Sequence, residues 1–276
     1  VKQDLPIGVF DSGVGGLTVV RQLQRILPCE TLIYLGDTAR VPYGTKNEET
    51  IIRFSCEDAN FLVEKKVKAI VVACNTATSV ALPTLQKKFD IPIFGVVIPG
   101  AEAGVTKTQT NRIGVIATAA TIRSKAYTLA IKEKLSTAKI FPLECPLLVP
   151  LVEEGWLANK ITLAVLKKYL SKLVKKDIDT LILGCTHYPL LANSIKNVLR
   201  ELTSQKINIV DSAETCARYV KEKLSSLDLL CTEQNTEQPK LKLFVTDTPK
   251  NFNKISKLFL KRSDLLARQI QLKPLL

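Results

Sequence analysis

The chain of 276 residues has no Cys-x-x-Cys pair, a single histidine, and no apolar run approaching the length that spans a membrane. Each absence narrows what the protein can be. Without paired spacing, the seven cysteines at 29, 56, 74, 145, 185, 216 and 231 suit neither a disulfide framework nor a zinc knuckle, so no metal site is expected. The opening Val1–Pro6 lacks the apolar core of a secretory signal. A reducing cytoplasm is therefore the expected compartment, and no membrane partner is expected.

A 46% hydrophobic content at this length allows a large core and two domains. The formal net charge of +13 raises the question of an acidic partner. Its lysines, however, are spread along helical stretches such as Lys132-Glu-Lys134, Lys167-Lys168 and Lys175-Lys176, mixed with acids on solvent faces. Nucleic acid is thus not an expected partner, although weak salt-sensitive binding or steering of an anionic substrate would fit the charge.

Two segments have the same form: Ala73-Cys74-Asn75-Thr76-Ala77 and Gly184-Cys185-Thr186-His187-Tyr188. Each follows a short β-branched run, Ala69–Ala73 or Thr180–Gly184, of the kind that forms a buried parallel strand. A cysteine at the carboxyl end of such a strand lies where open α/β sheets bind ligands. Upstream, Ile7-Gly-Val stands 67 positions before Cys74 and Ile113-Gly-Val stands 72 before Cys185, which suggests two related halves. Two equivalent thiols facing each other suit a reaction that removes a proton from one face of a carbon and returns one to the other.

Strand and helix signals alternate along the chain, predicting an α/β fold of two pseudo-symmetric domains with mainly parallel sheets and the site in the cleft between them. Expected strands are 7–10, 31–35, 69–73, 93–97, 113–116, 139–143, 180–183, 207–211 and 242–246, with helices at 17–27, 48–65, 122–135, 161–174, 190–202 and 213–224. Val97-Ile-Pro-Gly-Ala101, broken by Pro99 and Gly100, predicts a crossing between domains, with a return near Asp211-Ser212. The expected division is residues 1–98 with 211–276, and residues 99–210. The polar stretch Cys231–Pro239 reads as a surface loop.

Taken in order, the motifs Asp11-Ser-Gly-Val-Gly-Gly16, Gly36-Asp-Thr-Ala-Arg-Val-Pro-Tyr-Gly44, Ala73-Cys-Asn-Thr-Ala77, Gly95-Val-Val-Ile-Pro-Gly100, Ala117-Thr-Ala-Ala-Thr121, Cys145-Pro with Glu153-Glu154-Gly155, and Leu183-Gly-Cys-Thr-His-Tyr-Pro189 resemble one family. It is the glutamate racemases, within the cofactor-independent aspartate/glutamate racemase superfamily. The resemblance runs from about residue 7 to residue 212, and Phe244-Val-Thr-Asp-Thr-Pro249 is similar to the family's C-terminal end.

The resemblance implies interconversion of L- and D-glutamate for peptidoglycan synthesis, with Cys74 and Cys185 as the two proton-transferring thiols and no cofactor. No lysine stands in a recognisable setting for a pyridoxal phosphate Schiff base. It also implies that Asp11 assists at Cys74, that His187 and Glu153 assist at Cys185, and that the protein forms a homodimer. Glu154 is the alternative to Glu153. Candidate substrate-binding residues are Asp11, Ser12, Tyr43, Gly44, Asn75, Thr76, Thr118, Thr121, Thr186 and His187, a set of small neutral donors suited to a small-molecule substrate with two carboxylates. Both cysteines are expected just before helix starts, where backbone N–H groups favour an anion.

Blander readings stand beside these. A cysteine after an apolar strand is more often a small buried hydrophobe, and Asp11-Ser12 can simply cap the next helix. Alternative functions are a racemase for aspartate or another acidic amino acid, a basic binding protein on the same fold, and a thiol oxidoreductase, which lacks a resolving cysteine nearby in sequence.

Overall fold

The structure, a computed structural model, describes residues 2–231, 240–262 and 264–274. Most of the expected Cys231–Pro239 loop, residues 232–239, lies outside them. Ten strands are described: β1 (Ile7–Asp11), β2 (Leu32–Gly36), β3 (Ala69–Val72), β4 (Ile93–Gly95), β5 (Arg112–Ala117), β6 (Lys139–Glu144), β7 (Thr180–Gly184), β8 (Asn208–Asp211), β9 (Leu241–Val245) and β10 (Arg268–Gln269).

They form two sheets, in the orders β10-β9-β2-β1-β3-β4 and β6-β5-β7-β8, and every pairing is parallel. The run β2-β1-β3-β4 in one sheet repeats as β6-β5-β7-β8 in the other, so the likeness of the two cysteine segments extends to topology. Ile7 pairs with Ala69 in the first half, and Ile113 pairs with Thr180 in the second. Each cysteine thus follows the strand paired with its half's Ile-Gly-Val strand.

Alternation along the strands distributes side chains to the two faces of each sheet. Val9 and Val71 join a core shared with Leu181 and Leu183 of the other sheet, while Phe10, Ile70 and Val72 face a second core. Ile113, Val115 and Ile182 face a third. Each such apolar side chain taken fully from water contributes roughly 1.5–3 kcal/mol. The shared core also contains residues of the helices Leu17–Ile26, Ala192–Leu202, Ser212–Ser226 and Pro249–Leu260. It runs continuously from one sheet to the other.

Several elements differ from the sequence expectations. The strand expected over 93–97 stops at Gly95, and Val97–Lys107 is a helix leading from the first sheet to the second. Pro99 is accommodated because it occupies the helix's first turn, where an N–H has no partner within the helix. The stretch 122–135 forms two helices, Ala119–Arg123 and Ala126–Lys134, separated at Lys125 in the left-handed region with φ 57°. The two-residue strand β10 was not expected.

Candidate active site

The carboxyl ends of β1, β3, β5 and β7 deliver loops from both sheets to one cavity of about 320 Å3. That volume lies near the lower end of small-molecule pockets, which span ~300–1,000 Å3. Cys74 and Cys185 both line it, each only 5% exposed. Ser12, Tyr43, Gly44, Asn75, Thr76, Thr118, Glu153, Thr186 and His187 line it as well.

Cys74 caps the helix Asn75–Lys88, with its sulfur accepting the Ala77 N–H over 3.5 Å and the thiol donating to Ser12 Oγ over 3.6 Å. Burial and the neighbouring Asp11 nevertheless push this thiol up to about 12, outweighing the Ala77 and Ser12 contacts. The helix start thus supplies part of the stabilisation of an anion, and burial with Asp11 exceeds it. Asp11 itself is 1% exposed and lies outside the cavity lining. One oxygen accepts the Gly13 N–H at 3.0 Å, whereas Oδ1 is buried without a partner. Burial raises this carboxyl, against a lowering by His187 and the Gly16 and Gly13 amides.

The setting of Cys185 is different. Only a short 3-10 turn, Tyr188–Leu191, follows it, with Pro189 in the first positions. The long helix begins at Ala192, so its N-terminus does not reach the sulfur in the way expected from sequence. Instead, His187 Nδ1 lies 3.8 Å from the sulfur, and Nε2 lies 3.0 Å from Glu153 Oε1. Burial alone would lower His187, but the contacts to Cys185 and Glu153 outweigh it and raise the ring to about 10. Glu154 is exposed, whereas Glu153 reaches the cavity from the end of the helix Leu148–Glu153.

Donors in the cavity come from both halves. Thr76 Oγ1 lies 2.9 Å from Thr118 Oγ1, which lies 3.1 Å from Thr121 Oγ1. Thr121 is thus tied to the set, but it does not line the cavity. Asn75 Oδ1 accepts the Tyr127 hydroxyl at 2.7 Å, leaving its buried Nδ2 unpartnered among protein groups. Tyr43 contributes its ring to the wall. Its hydroxyl instead points toward Asp37 and Asp58, so it is not a donor into the cavity.

The apolar wall residues Val41, Pro42, Pro146, Val149 and Pro150 carry no polar group that would mark them in the sequence, although they adjoin its motifs. No lysine or arginine lines the cavity among the described residues. Nor does any group of three or more His, Cys, Asp or Glu residues among them suit a metal ion. The arrangement places two sulfurs, each with a titratable neighbour, around a space rich in neutral donors. That chemistry fits proton transfer at a carbon flanked by anionic groups.

Residues 7–220 match the family described as Asp/Glu/Hydantoin racemase. The chain is 48% identical over 268 residues to the glutamate racemase of Persephonella marina, covering 97% of this chain and 98% of that protein. It is 46% identical over 261 residues to that of Chlorobaculum tepidum, covering 94% of each. The crystal structure of glutamate racemase from Francisella tularensis in complex with D-glutamate superposes with a TM-score of 0.89 at 38% identity, covering 98% of each chain.

Proposed function

This chain belongs to the Asp/Glu/hydantoin racemase family, and we propose that it interconverts L- and D-glutamate in the cavity between Cys74 and Cys185. The single observation that carries the reading is that the two sulfurs, supplied by topologically equivalent strands of two sheets, line one small cavity. D-Glutamate made in this way would serve peptidoglycan synthesis.

In one direction a thiolate takes the α-proton and becomes a thiol, while the opposite thiol gives its proton to the other face of the carbon and becomes the thiolate. The reverse direction exchanges the roles. Product leaves the enzyme with the two protonation states swapped, and no electron is lost. The mechanism assigns no step to a cofactor or metal.

Burial and the Asp11 charge favour the neutral thiol at Cys74. A substrate ammonium near it supplies the positive charge that favours the thiolate. Asp11 behind Cys74 and His187 beside Cys185 serve as neighbours that hold or relay a proton, and Glu153 keeps the imidazole oriented. Ser12, the free Nδ2 of Asn75, Thr76, Thr118 and Thr186 are the groups we assign to the two carboxylates. Thr121 supports Thr118, and the wall of Tyr43 and Gly44 limits the length of the side chain. Holding the Cα–H bond between fixed bases is the main source of acceleration, and such positioning can be worth ~7–11 kcal/mol.

We take residues 1–98 with 211–276 as one domain and 99–210 as the other, supported by β9 and β10 joining the first sheet and β8 closing the second. We also assign the protein to the cytoplasm as a homodimer, supported by the unbridged cysteines 29, 56, 74, 145, 185 and 216 and by exposed Leu129, Trp156 and Ile161. No helix among the described residues is long and apolar enough to cross a membrane.

The activity is tested by incubating the protein with L-glutamate in D2O without added cofactor, following optical rotation and α-deuteration, with L-aspartate in parallel. Loss of rotation with α-deuteration for glutamate alone is expected. Turnover of aspartate alone would reassign the substrate, and inertness toward both would remove the racemase reading.

A further inference from the structure

Five consecutive residues, Val41–Thr45, form one wall of the cavity. None of the groups that hold this wall from behind lines the cavity itself. Arg40 Nε donates to Asp37 Oδ2 at 2.6 Å, its Nη2 donates to Asp58 at 3.2 Å, and Nη1 donates to Glu57. Two of these carboxylates belong to the helix Glu48–Glu64, while Asp37 directly follows β2. Thr246, just beyond β9, donates to the second oxygen of Asp37 at 2.8 Å. The guanidinium therefore joins the start of the wall segment to a helix and a strand end already fixed by the fold.

The far side of the segment enters the same cluster through Tyr43. Its hydroxyl oxygen lies within hydrogen-bond distance of both Asp37 and Asp58, 2.9 Å in the latter case. The hydroxyl is directed at Asp37 Oδ2 and Asp58 Oδ2, so Tyr43 is tied to two of the carboxyls that Arg40 holds. Burial and the nearby Asp37 charge raise Asp58, while the Arg40 charge and the Tyr43 hydroxyl oppose that rise. A single guanidinium thus contacts all three carboxyl groups of the cluster. Arg40 is also stacked over the Phe54 ring, its carbon 4.1 Å from the ring centre, so the planar fork cannot swing freely.

On its outer side the wall meets the other half of the molecule. A Cβ placed on Gly44 would stand 3.0 Å from the Cβ of Thr118. Thr118 in turn bonds Thr76, two residues after Cys74. A shift of the wall would therefore disturb donors on both sides of the cavity.

We propose that Arg40 is a positioning residue for substrate binding: by clamping Asp37, Glu57 and Asp58 together, it holds the Val41–Thr45 wall against Thr118 and so sets the size of the cavity. The inference rests on the racemase reading for its kinetic consequence, but its structural consequence is independent of that reading. Arg40 does not line the cavity, so its loss acts on binding more than on proton transfer.

The test compares wild type with Arg40→Met and Arg40→Lys, both checked for a cooperative melt. Backbone amide exchange at Val41, Tyr43, Gly44 and Thr45 should accelerate in Arg40→Met. Its KM for glutamate should rise about tenfold with kcat held within about threefold, the pattern of lost uniform binding. Arg40→Lys, which restores charge without the three-way fork, should give an intermediate KM. Should Arg40→Met fail to fold, Glu57→Gln removes one arm of the clamp, and the same two changes are expected at smaller size. Wild-type exchange in the segment, an unchanged KM, or a loss confined to kcat would each overturn the inference. An inactive wild-type protein would count against the racemase reading instead, leaving amide exchange to decide whether Arg40 orders the wall.

Discussion

Glu153 Oε1 lies 3.0 Å from His187 Nε2, on the side of the ring away from the Cys185 sulfur. His187 thus links a buried thiol to a carboxylate that is partly exposed at the cavity. Its proton is held more tightly in the folded protein than in the unfolded chain, with the ring raised from 6.5 to about 10. The corresponding stability is fully present below about pH 6.5 and is lost as pH rises through about 10. Glu153→Gln removes one of the two partners that raise the ring and should draw the upper end of that window downward. Urea unfolding midpoints measured between pH 6 and pH 10 for both proteins check this; parallel profiles would refute it.

The two cysteines should be separable by stereochemistry. Cys74→Ala or Cys185→Ala removes one acid–base group, for which a loss of about 10²–10⁴-fold in racemisation is expected. Each variant keeps one sulfur, so exchange of the α-proton should survive from one enantiomer only, with opposite choices in the two variants. Proton NMR of L- and D-glutamate incubated separately in D2O reads this directly. Full racemisation by either variant would eliminate the two-thiol mechanism.

At Gly15 the halves approach so closely that an added Cβ would stand 2.2 Å from Thr186 Oγ1 and 2.5 Å from His187 Nδ1. Thr18 Oγ1, three residues on, donates to the Thr186 carbonyl at 2.9 Å and holds the same contact. Gly15→Ala must therefore displace the loop that carries His187. Overpacking of this kind costs about 1–3 kcal/mol, and misplacement near reacting groups can reduce the rate on the order of 10²-fold. A folded Gly15→Ala protein should lose far more kcat/KM than stability, judged by activity assays and thermal melts on the same samples. Wild-type kinetics would show that the loop absorbs the methyl group elsewhere.

The parts legible in the sequence were those governed by local pattern. Ala69–Val72 and Thr180–Gly184 are apolar β-branched runs, and a residue following such a strand falls at the sheet's ligand-binding edge, which located Cys74 and Cys185. The helix Val97–Lys107 was hidden by Pro99 and Gly100, because breakers inside a helix are tolerated in its first turn, a position visible only once the helix start is known. The contrast between the cysteines was also hidden: Cys74 caps a helix of 14 residues, whereas Cys185 precedes a turn of four. Arg40 stood inside a recognised motif, yet its role depends on Glu57 and Asp58 meeting it across a tertiary contact. Periodicity carries no information about such a pairing.

Lys68 and Glu30 form an ion pair at 2.6 Å with side chains only 1% and 2% exposed, remote in role from the cavity. Lys68 Nζ also donates to the Gln3 carbonyl at 2.6 Å, and the second Glu30 oxygen accepts the Cys231 N–H at 2.9 Å. The pair therefore ties the segment before β1 to the start of β3 and to the chain beyond the helix Ser212–Ser226. Removing one charge leaves the other buried without its counter-ion, which costs about 3–5 kcal/mol, more than the pair's own net contribution. Lys68→Met should lower the unfolding free energy by that amount while kcat and KM stay at wild-type values at temperatures where the variant is folded. Adding Glu30→Leu removes the stranded carboxylate, and the double variant should recover much of the loss. Denaturant titrations of the two single variants and the double variant give the coupling; additive losses would mean that the two charges do not stabilise each other across this contact.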